Sequence, residues 1–335
     1  MTTIKNIAKA AHCSAATVSK ALNGRPDVAE ATRQRILAIA REYDFHPNAL
    51  GKALKKKITE SVGVIFCREQ LPLSLNPFYS RVLEGIEAEL AVSNRSLVLH
   101  LLPEGHTNAI PKMIRERQVD GLILIGVLQQ TFIDRLASLA IPTVLVDPKI
   151  TSNTFSQVLI DNEHGAFQAV QFLLDHGHTR IGFISGDLDR LSFRQRFEGY
   201  CKALDFARIP LCEELVRSGG LEKGYDHLNA LLDLPEPPSA IFAANDINAI
   251  YGYKAVTDHG LSVPEDISII GFDDIELGKM ISPQLSTIRV YKEQMGSIAV
   301  RTLFKVLNHE IVQPVTTLVP TRLIERESVA AYVPA

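Results

Sequence analysis

Six polar side chains stand at or beside the ends of apolar runs. Asp147 closes "VLVD", Asn245 and Asp246 close "FAAND", Asp273 and Asp274 close "GFDD", and Arg196 lies in "RQRFEGY". Carboxylates, an amide and a guanidinium grouped at strand ends can hydrogen-bond a hydroxylated or anionic ligand, the guanidinium through two parallel N–H donors. The same acids could instead cap the helices that follow, and the arginine could form an ordinary surface ion pair. A second segment, "CSAATVSKALNG" at residues 13 to 24, suits a different chemistry. Lys20 can donate to guanine O6 and N7, Ala15 or Ala16 can touch a thymine methyl, and Thr17, Ser19 and Asn23 can donate to phosphates. An exposed helix of no special purpose is the plainer alternative.

Other chemistries find no support. No GxSxG, HExxH, Walker or GxGxxG pattern occurs, and no nucleophile is paired with a base at recognisable spacing. His176 and His178 in "DHGHTR" flank Gly177, which marks a helix-to-strand turn, so no metal is expected there. Cys13, Cys67, Cys201 and Cys212 lack zinc-like spacing and read as reduced packing residues. Neither a cofactor nor catalysis is expected.

The segment at 13 to 24 needs a scaffold, and its surroundings supply one. Thr3 can cap a first helix with Ile4, Ile7, Ala8 and Ala11 on one face, and Ser14 can cap a second whose inner face is Val18, Ala21 and Leu22. A third helix at about 32 to 43 would turn Ile36, Ile39, Ala40 and Tyr43 inward before "HPN" ends it. Three helices of this size make a helix-turn-helix domain, with the second helix as the candidate for the major groove. "HPNALGKALKKK" follows, with Asn48 as a cap, Leu50 and Leu54 on a short helix and Lys55 among the lysines at its end. A helix this short is marginal alone in water; a leucine can wedge into a minor groove while lysines hold phosphates. Charge follows the same division. Residues 1 to 60 hold eleven Lys and Arg against five Asp and Glu, while the remaining 275 residues carry 24 against 33.

From residue 61 the pattern alternates. "SVGVIF", "SLVLHLL", "GLILIGV" and "PTVLV", then "RIGFIS", "AIFAAN" and "ISIIGF", are apolar runs separated by amphipathic helical stretches such as 78 to 90 and 131 to 139. Such runs predict parallel strands buried on both faces, in two doubly wound series, with ligands favoured at the strands' carboxyl ends and in the cleft between. At 46% hydrophobic over 335 residues the chain can bury a large core. No apolar run is long enough for a bilayer and the N-terminus has no apolar signal region, so a cytoplasmic protein without membrane contact is expected.

"TIKNIAKAAHCSAATVSKALNG" followed by "FHPNALGKAL" closely resembles the LacI/GalR family of bacterial transcriptional repressors, and "NPFYSRVLEGI", "LIDNEHGAFQAV", "HGHTRIGFISG", "AANDINAIYGY" and "VPEDISIIGFDD" continue the likeness along the chain. The resemblance implies a helix-turn-helix domain over 1–46, a hinge helix and linker over 47–60, and over 61–335 a periplasmic-binding-protein-like α/β core of two interleaved Rossmann-like subdomains. It puts Ala15, Ala16 and Lys20 where the family reads operator bases and Leu54 on the hinge leucine. Thr3, Ser14, Thr17, Ser19, Asn23, Asn48 and Lys55 complete the expected DNA-facing set. Phe78, Tyr79, Asp147, Arg190, Ser192, Arg196, Asn245 and Asp273 match effector-contacting positions. The chain departs from the family at several places, among them "TIRVYKEQMG", which offers Val290 and Tyr291 near a variable contact. His12 stands at the usual turn glycine, Gly51 replaces a common hinge alanine, and "SGGLEKGY" lacks the usual aromatic before its helix.

The resulting expectation is a homodimeric regulator of palindromic operator DNA, controlled by a small effector that is sugar-like or, as the alternative, a nucleobase. Dimer rather than tetramer follows from the lack of a leucine-heptad tail after "LVPTRLIERESVAAY". A sugar- or nucleobase-binding protein without a regulatory DNA role, a transport component and an enzyme are the rival classes.

Overall fold

The computed structural model describes residues 3–22, 25–45, 58–67, 73, 76–103, 109–220 and 223–333. Contacts divide the chain into two compact units, Met1–Glu60 and Ser61–Ala335.

The first unit contains α1 (Ile4–Ala10), α2 (Ala15–Leu22) and α3 (Glu30–Glu42). Thr3 caps α1 in a reciprocal arrangement: its hydroxyl accepts from the Asn6 amide, and the Asn6 side chain accepts from the Thr3 amide at 3.1 Å. Ser14 does the same work for α2, accepting from the Thr17 amide at 3.1 Å. His12, in the turn between these helices, takes a φ of 49°, the left-handed conformation that its position at a usual glycine demands. Ile7, Ala11, Val18, Ala21, Val28, Ile36 and Ala40 form the core that joins the helices. Tyr43 departs from expectation. It caps the end of α3 and is exposed, because α3 closes at Glu42, one residue earlier than the inward-facing pattern required.

The second unit is built from β1 (Ser61–Cys67), α4 (Tyr79–Val92), β2 (Ser96–Leu102), α5 (Lys112–Arg115), β3 (Gly121–Ile125), α6 (Gln130–Ser138), β4 (Thr143–Val146) and β5 (Ser156–Ile160). There follow α7 (Asn162–Asp175), β6 (Ile181–Ser185), α8 (Leu191–Phe206), β7 (Val216–Ser218), α9 (Gly224–Leu232), β8 (Ala240–Ala243), α10 (Asp246–Asp258) and β9 (Ser268–Asp273). The last elements are β10 (Ser286–Val290), α11 (Lys292–Leu307), β11 (Thr316–Val319) and β12 (Thr321–Ile324).

Two sheets result, ordered β11-β5-β4-β3-β1-β2 and β12-β10-β9-β8-β6-β7. All pairings are parallel except β10 with β12, which is antiparallel. Every residue of β3, β4, β6 and β8 is buried, as strands covered by helices on both faces must be. The lobes interleave. The chain leaves the first sheet after β5, returns through α11, which packs on α4, and contributes β11 to the first sheet and β12 to the second.

The α4–α11 contact is close enough to require glycine on both sides. A Cβ at Gly85 would stand 2.0 Å from the Glu293 carbonyl oxygen, and one at Gly296 would stand 2.2 Å from that of Val82. Backbone atoms cannot turn aside as a side-chain rotamer can. Gly85→Ala is therefore expected to lower the unfolding free energy by about 1–3 kcal/mol, despite the gain of about 1 kcal/mol that alanine brings to a free helix. Urea denaturation of the full chain checks the sign; an unchanged or raised midpoint would contradict this close packing.

Candidate functional site

The carboxyl ends of the strands carry the expected side chains into one place. Asp147 follows β4 with φ 49°, and Asp273 ends β9 with φ 115°, both in backbone conformations that a residue with a side chain rarely takes. Phe78, Tyr79, Asp147, Arg190, Ser192, Arg196, Asn245 and Asp273 all line a single cleft of about 550 Å³, counting its open mouth.

On the first lobe, the Asn76 side chain accepts from the amides of Phe78 and Tyr79 at 3.2 and 3.0 Å and fixes the start of α4. Tyr79 packs against Phe66, with centroids 5.4 Å apart, and donates its hydroxyl to Asp147 at 2.7 Å. It serves core and cleft at once. Arg190, on the second lobe, donates to the same hydroxyl at 3.2 Å, and the neighbouring Leu191 amide donates to the Lys149 carbonyl at 2.8 Å. The two lobes therefore meet through Tyr79 and the residues beside Arg190.

Arg196 is buried within α8. Its Nε donates to Asn162 at 2.9 Å, one terminal nitrogen donates to the Ala244 carbonyl at 2.6 Å, and the other lies 3.2 Å from an Asp273 oxygen. The guanidinium carbon stands 3.7 Å from the Phe272 ring centroid. Burial pushes the Asp273 carboxyl above its ordinary range, and the charges of Arg196 and Lys292 only partly offset this. Lys292 also donates to the main-chain oxygens of Asp273 and Asp274, which holds the turn. Asn245 caps α10, accepting from the Asn248 amide at 2.8 Å, while its residue lines the cleft.

Two of the strand-end acids turn away. Asp274 binds Arg289 at 2.6 Å and also Arg326; burial opposes its charge, but these hydrogen bonds hold its carboxyl below the usual range. Asp246 lies beneath the cleft, accepting from Thr287 at 2.6 Å and from the Ile275 amide at 2.8 Å. Burial, reinforced by the nearby Asp273 charge, pushes its carboxyl up to about 8. Asn76, Pro77, Phe193, Ile247 and Ile275 also line the cleft and escaped the sequence reading. Only Asn76, a turn-forming amide just before an aromatic pair, left a usable signal.

In the first unit Ser14, Ala15, Ala16 and Lys20 are exposed, Thr17 and Ser19 are half-buried, and Val18 and Ala21 are buried. The face of α2 turned to solvent is thus small side chains and one lysine, whose Nζ lies 2.6 Å from Asp27. Thr3 and Ser14 are exposed but serve as helix caps. Asn23, Asn48, Leu54 and Lys55 lie outside the described residues. His176 bonds the Phe172 carbonyl, and His178 bonds Ser239 and the Ala330 carbonyl. Among the described residues no group of three His, Cys, Asp or Glu could hold a metal, and no helix is long and apolar enough to cross a membrane.

The family described as "Bacterial regulatory proteins, lacI family" matches residues 3–48, and "Periplasmic binding protein-like domain" matches residues 170–329. Catabolite control protein A of Priestia megaterium is 32% identical over 332 residues, covering 97% of this chain and 98% of that protein. A lac repressor dimer bound to operator and the anti-inducer ONPF superposes with a TM-score of 0.86 at 25% identity, covering 98% of this chain and 99% of that one. The CelR–cellobiose complex gives 0.73 at 28% identity, with 98% and 100% covered.

Asp246 gives the body a definite pH response. Its carboxyl loses its proton near pH 8 when folded and near the ordinary value of 3.8 when unfolded. Between these values the folded state holds the extra proton, so the contribution of Asp246 to stability is present at low pH and falls as pH rises towards 8. Asp246→Asn, whose neutral amide mimics the protonated acid, should flatten the decline in melting temperature between pH 5 and 8.5. Parallel curves for the two proteins would remove the assignment.

Proposed function

This chain belongs to the lacI family of bacterial regulatory proteins and is a sequence-specific DNA-binding transcriptional regulator, and from that premise we propose how its residues divide the work. It acts as a repressor, with α2 in the major groove of the operator. Ala15, Ala16 and Lys20 face base edges, and Ser14, Thr17 and Ser19 face phosphates at the flank. Two copies place two such helices on a palindromic operator in the cytoplasm, with Asn23, Asn48, Leu54 and Lys55 completing each half of the interface. The cleft of the body takes a sugar-like effector and assigns those eight side chains to binding rather than catalysis.

One observation carries the effector reading: the lining combines acceptors at Asp147 and Asp273, a donor at Arg190, and an aromatic ring at Phe78 in one open cleft. Hydroxyls on a ring can meet the polar groups while an aromatic face covers the ring's C–H bonds. Support of a second kind comes from the CelR neighbour, which was solved with cellobiose. Effector binding changes how the lobes close on each other and so the affinity for DNA, a coupling of about 1–3 kcal/mol in typical allosteric proteins.

Two experiments test these assignments. Selection from a random duplex pool should return a two-fold symmetric sequence, and Lys20→Ala should lower affinity for it by about 1–3 kcal/mol, the usual worth of one good base contact. Recovery of no preferred sequence would refute the placement of α2. For the cleft, a thermal-shift screen of sugars, sugar phosphates and nucleobases should find a stabilising sugar, and a ligand at a hundred times its Kd adds about 2.7 kcal/mol. Asp147→Ala should abolish that shift. A hit confined to nucleobases would replace the sugar assignment.

A further inference from the structure

The face that α2 turns to solvent is not free to bind whatever approaches. Its one cation, Lys20, is engaged: Nζ lies 2.6 Å from Asp27 Oδ2, with both side chains about half exposed at 54% and 53%. Lys20 sits in the last turn of α2, and Asp27 in the segment that leads to α3. The two partners differ in rigidity. Asp27 adjoins Val28, which is buried in the core, and the same segment is tied down by Arg33, which donates to the Arg25 carbonyl at 2.6 Å. Lys20 reaches out on a four-carbon stem. The carboxylate is therefore a fixed acceptor, and the ammonium is the mobile member.

We propose that Asp27 is a specificity-determining residue for DNA binding, whose carboxylate competes with DNA for the Lys20 ammonium. This inference rests on the reading that α2 enters the groove. A phosphate anywhere on a duplex attracts a lysine in much the same way, whereas guanine O6 and N7 offer two acceptors at one fixed place. An exposed ion pair is weak, so a well-placed base contact can draw Lys20 away from Asp27 while a loosely placed phosphate gains little from doing so. The carboxylate also repels phosphates that come near it. Both effects act mainly against unrelated DNA. Selectivity rises, at the expense of general affinity. The role falls to this pair because Ala15 and Ala16, the other side chains facing the bases, have no hydrogen-bonding groups with which to discriminate.

Asp27→Asn keeps the shape of the side chain and, being half exposed, leaves the core alone. The full-length protein and its Asp27→Asn, Lys20→Ala and doubly substituted forms are compared by random-pool selection. Fluorescence anisotropy then follows each on the selected duplex and on an unrelated duplex across a salt series. Asp27→Asn should bind the unrelated duplex about two- to fivefold more tightly, narrow the ratio between selected and unrelated DNA, and steepen the log–log salt slope by up to about 0.9. It should also relax the base preference at the position that Lys20→Ala identifies, and that relaxation should vanish when Lys20 is already alanine. An unchanged ratio and base preference would overturn the proposal. So would a loss on the selected duplex as large as that of Lys20→Ala with no gain on unrelated DNA. If the unaltered protein selects no sequence, the placement of α2 falls and this proposal falls with it. If Lys20→Ala shifts the preference and Asp27→Asn does nothing, only the role of Asp27 is lost.

Discussion

The buried guanidinium of Arg196 is the constraint around which the cleft is arranged. A charge taken out of water costs several kcal/mol unless its hydrogen-bonding capacity is met. Here four partners come from three places in the chain: Asn162 at the start of α7, the carbonyl of Ala244 after β8, and the end of β9, which supplies both the carboxylate of Asp273 and the ring of Phe272. Because the guanidinium is planar and rigid, satisfying it fixes these four relative to one another. One consequence is the position of Asp273, whose backbone at φ 115° would not be chosen by an aspartate in a free turn. Lys292 holds the same turn through its carbonyls, and Asp246 holds it through the Ile275 amide. Strain at the strand end is balanced by bonds from both sides.

Adjacent residues in this region have opposite tasks. In "FAAND", Asn245 lines the cleft while Asp246 points beneath it. In "GFDD", Asp273 faces the cleft while Asp274 is enclosed by Arg289 and Arg326. The division has an electrostatic reason. Four carboxylates on one small surface would repel each other, so one is paired with two arginines and another is kept largely protonated by burial. The remaining two, Asp147 and Asp273, face Arg190 and Arg196 within the cleft.

Much of the architecture could be read in the sequence because it is encoded locally. Apolar runs such as "GLILI" and "AIFA" are buried at every position only in a parallel sheet covered on both faces, and these became β3 and β8. Of the eight residues that the family resemblance put at the effector site, Asp147, Asn245 and Asp273 fall together for a related reason, since polar residues at the ends of such runs lie at the same end of a sheet; the other five stand on the starts of α4 and α8 or within α8. What escaped was set by distance in sequence. Strands β11 and β12 are four residues each with no unbroken apolar run, and they exist because β5 and β10 offer them an edge. The partners of Arg196 likewise cannot be read from its own neighbourhood, since Asn162 lies 34 residues earlier and Ala244 lies 48 later. Tyr43 shows the opposite failure, where helical spacing alone suggested burial but the helix had already ended.

The balance of charge in the cleft narrows what it can hold. Arg196 already has partners for each of its nitrogens, and Asp147 already accepts from Tyr79. An anion would find no surplus of cations there, because the two arginines are matched by two carboxylates on the same lining. A neutral ligand carrying several hydroxyls can instead exchange bonds one for one, its hydroxyls donating to Asp147 and Asp273 and accepting from Arg190. Such an exchange acts on the link between the lobes, since Tyr79 belongs to one lobe and Arg190 to the other, and their hydroxyl–guanidinium bond at 3.2 Å crosses the gap. A ligand that replaces this bond makes its own contacts to both lobes, and it can shift the balance between their arrangements only by as much as those contacts differ from one arrangement to the other. The residues proposed to recognise the ligand therefore include the pair that links the two lobes.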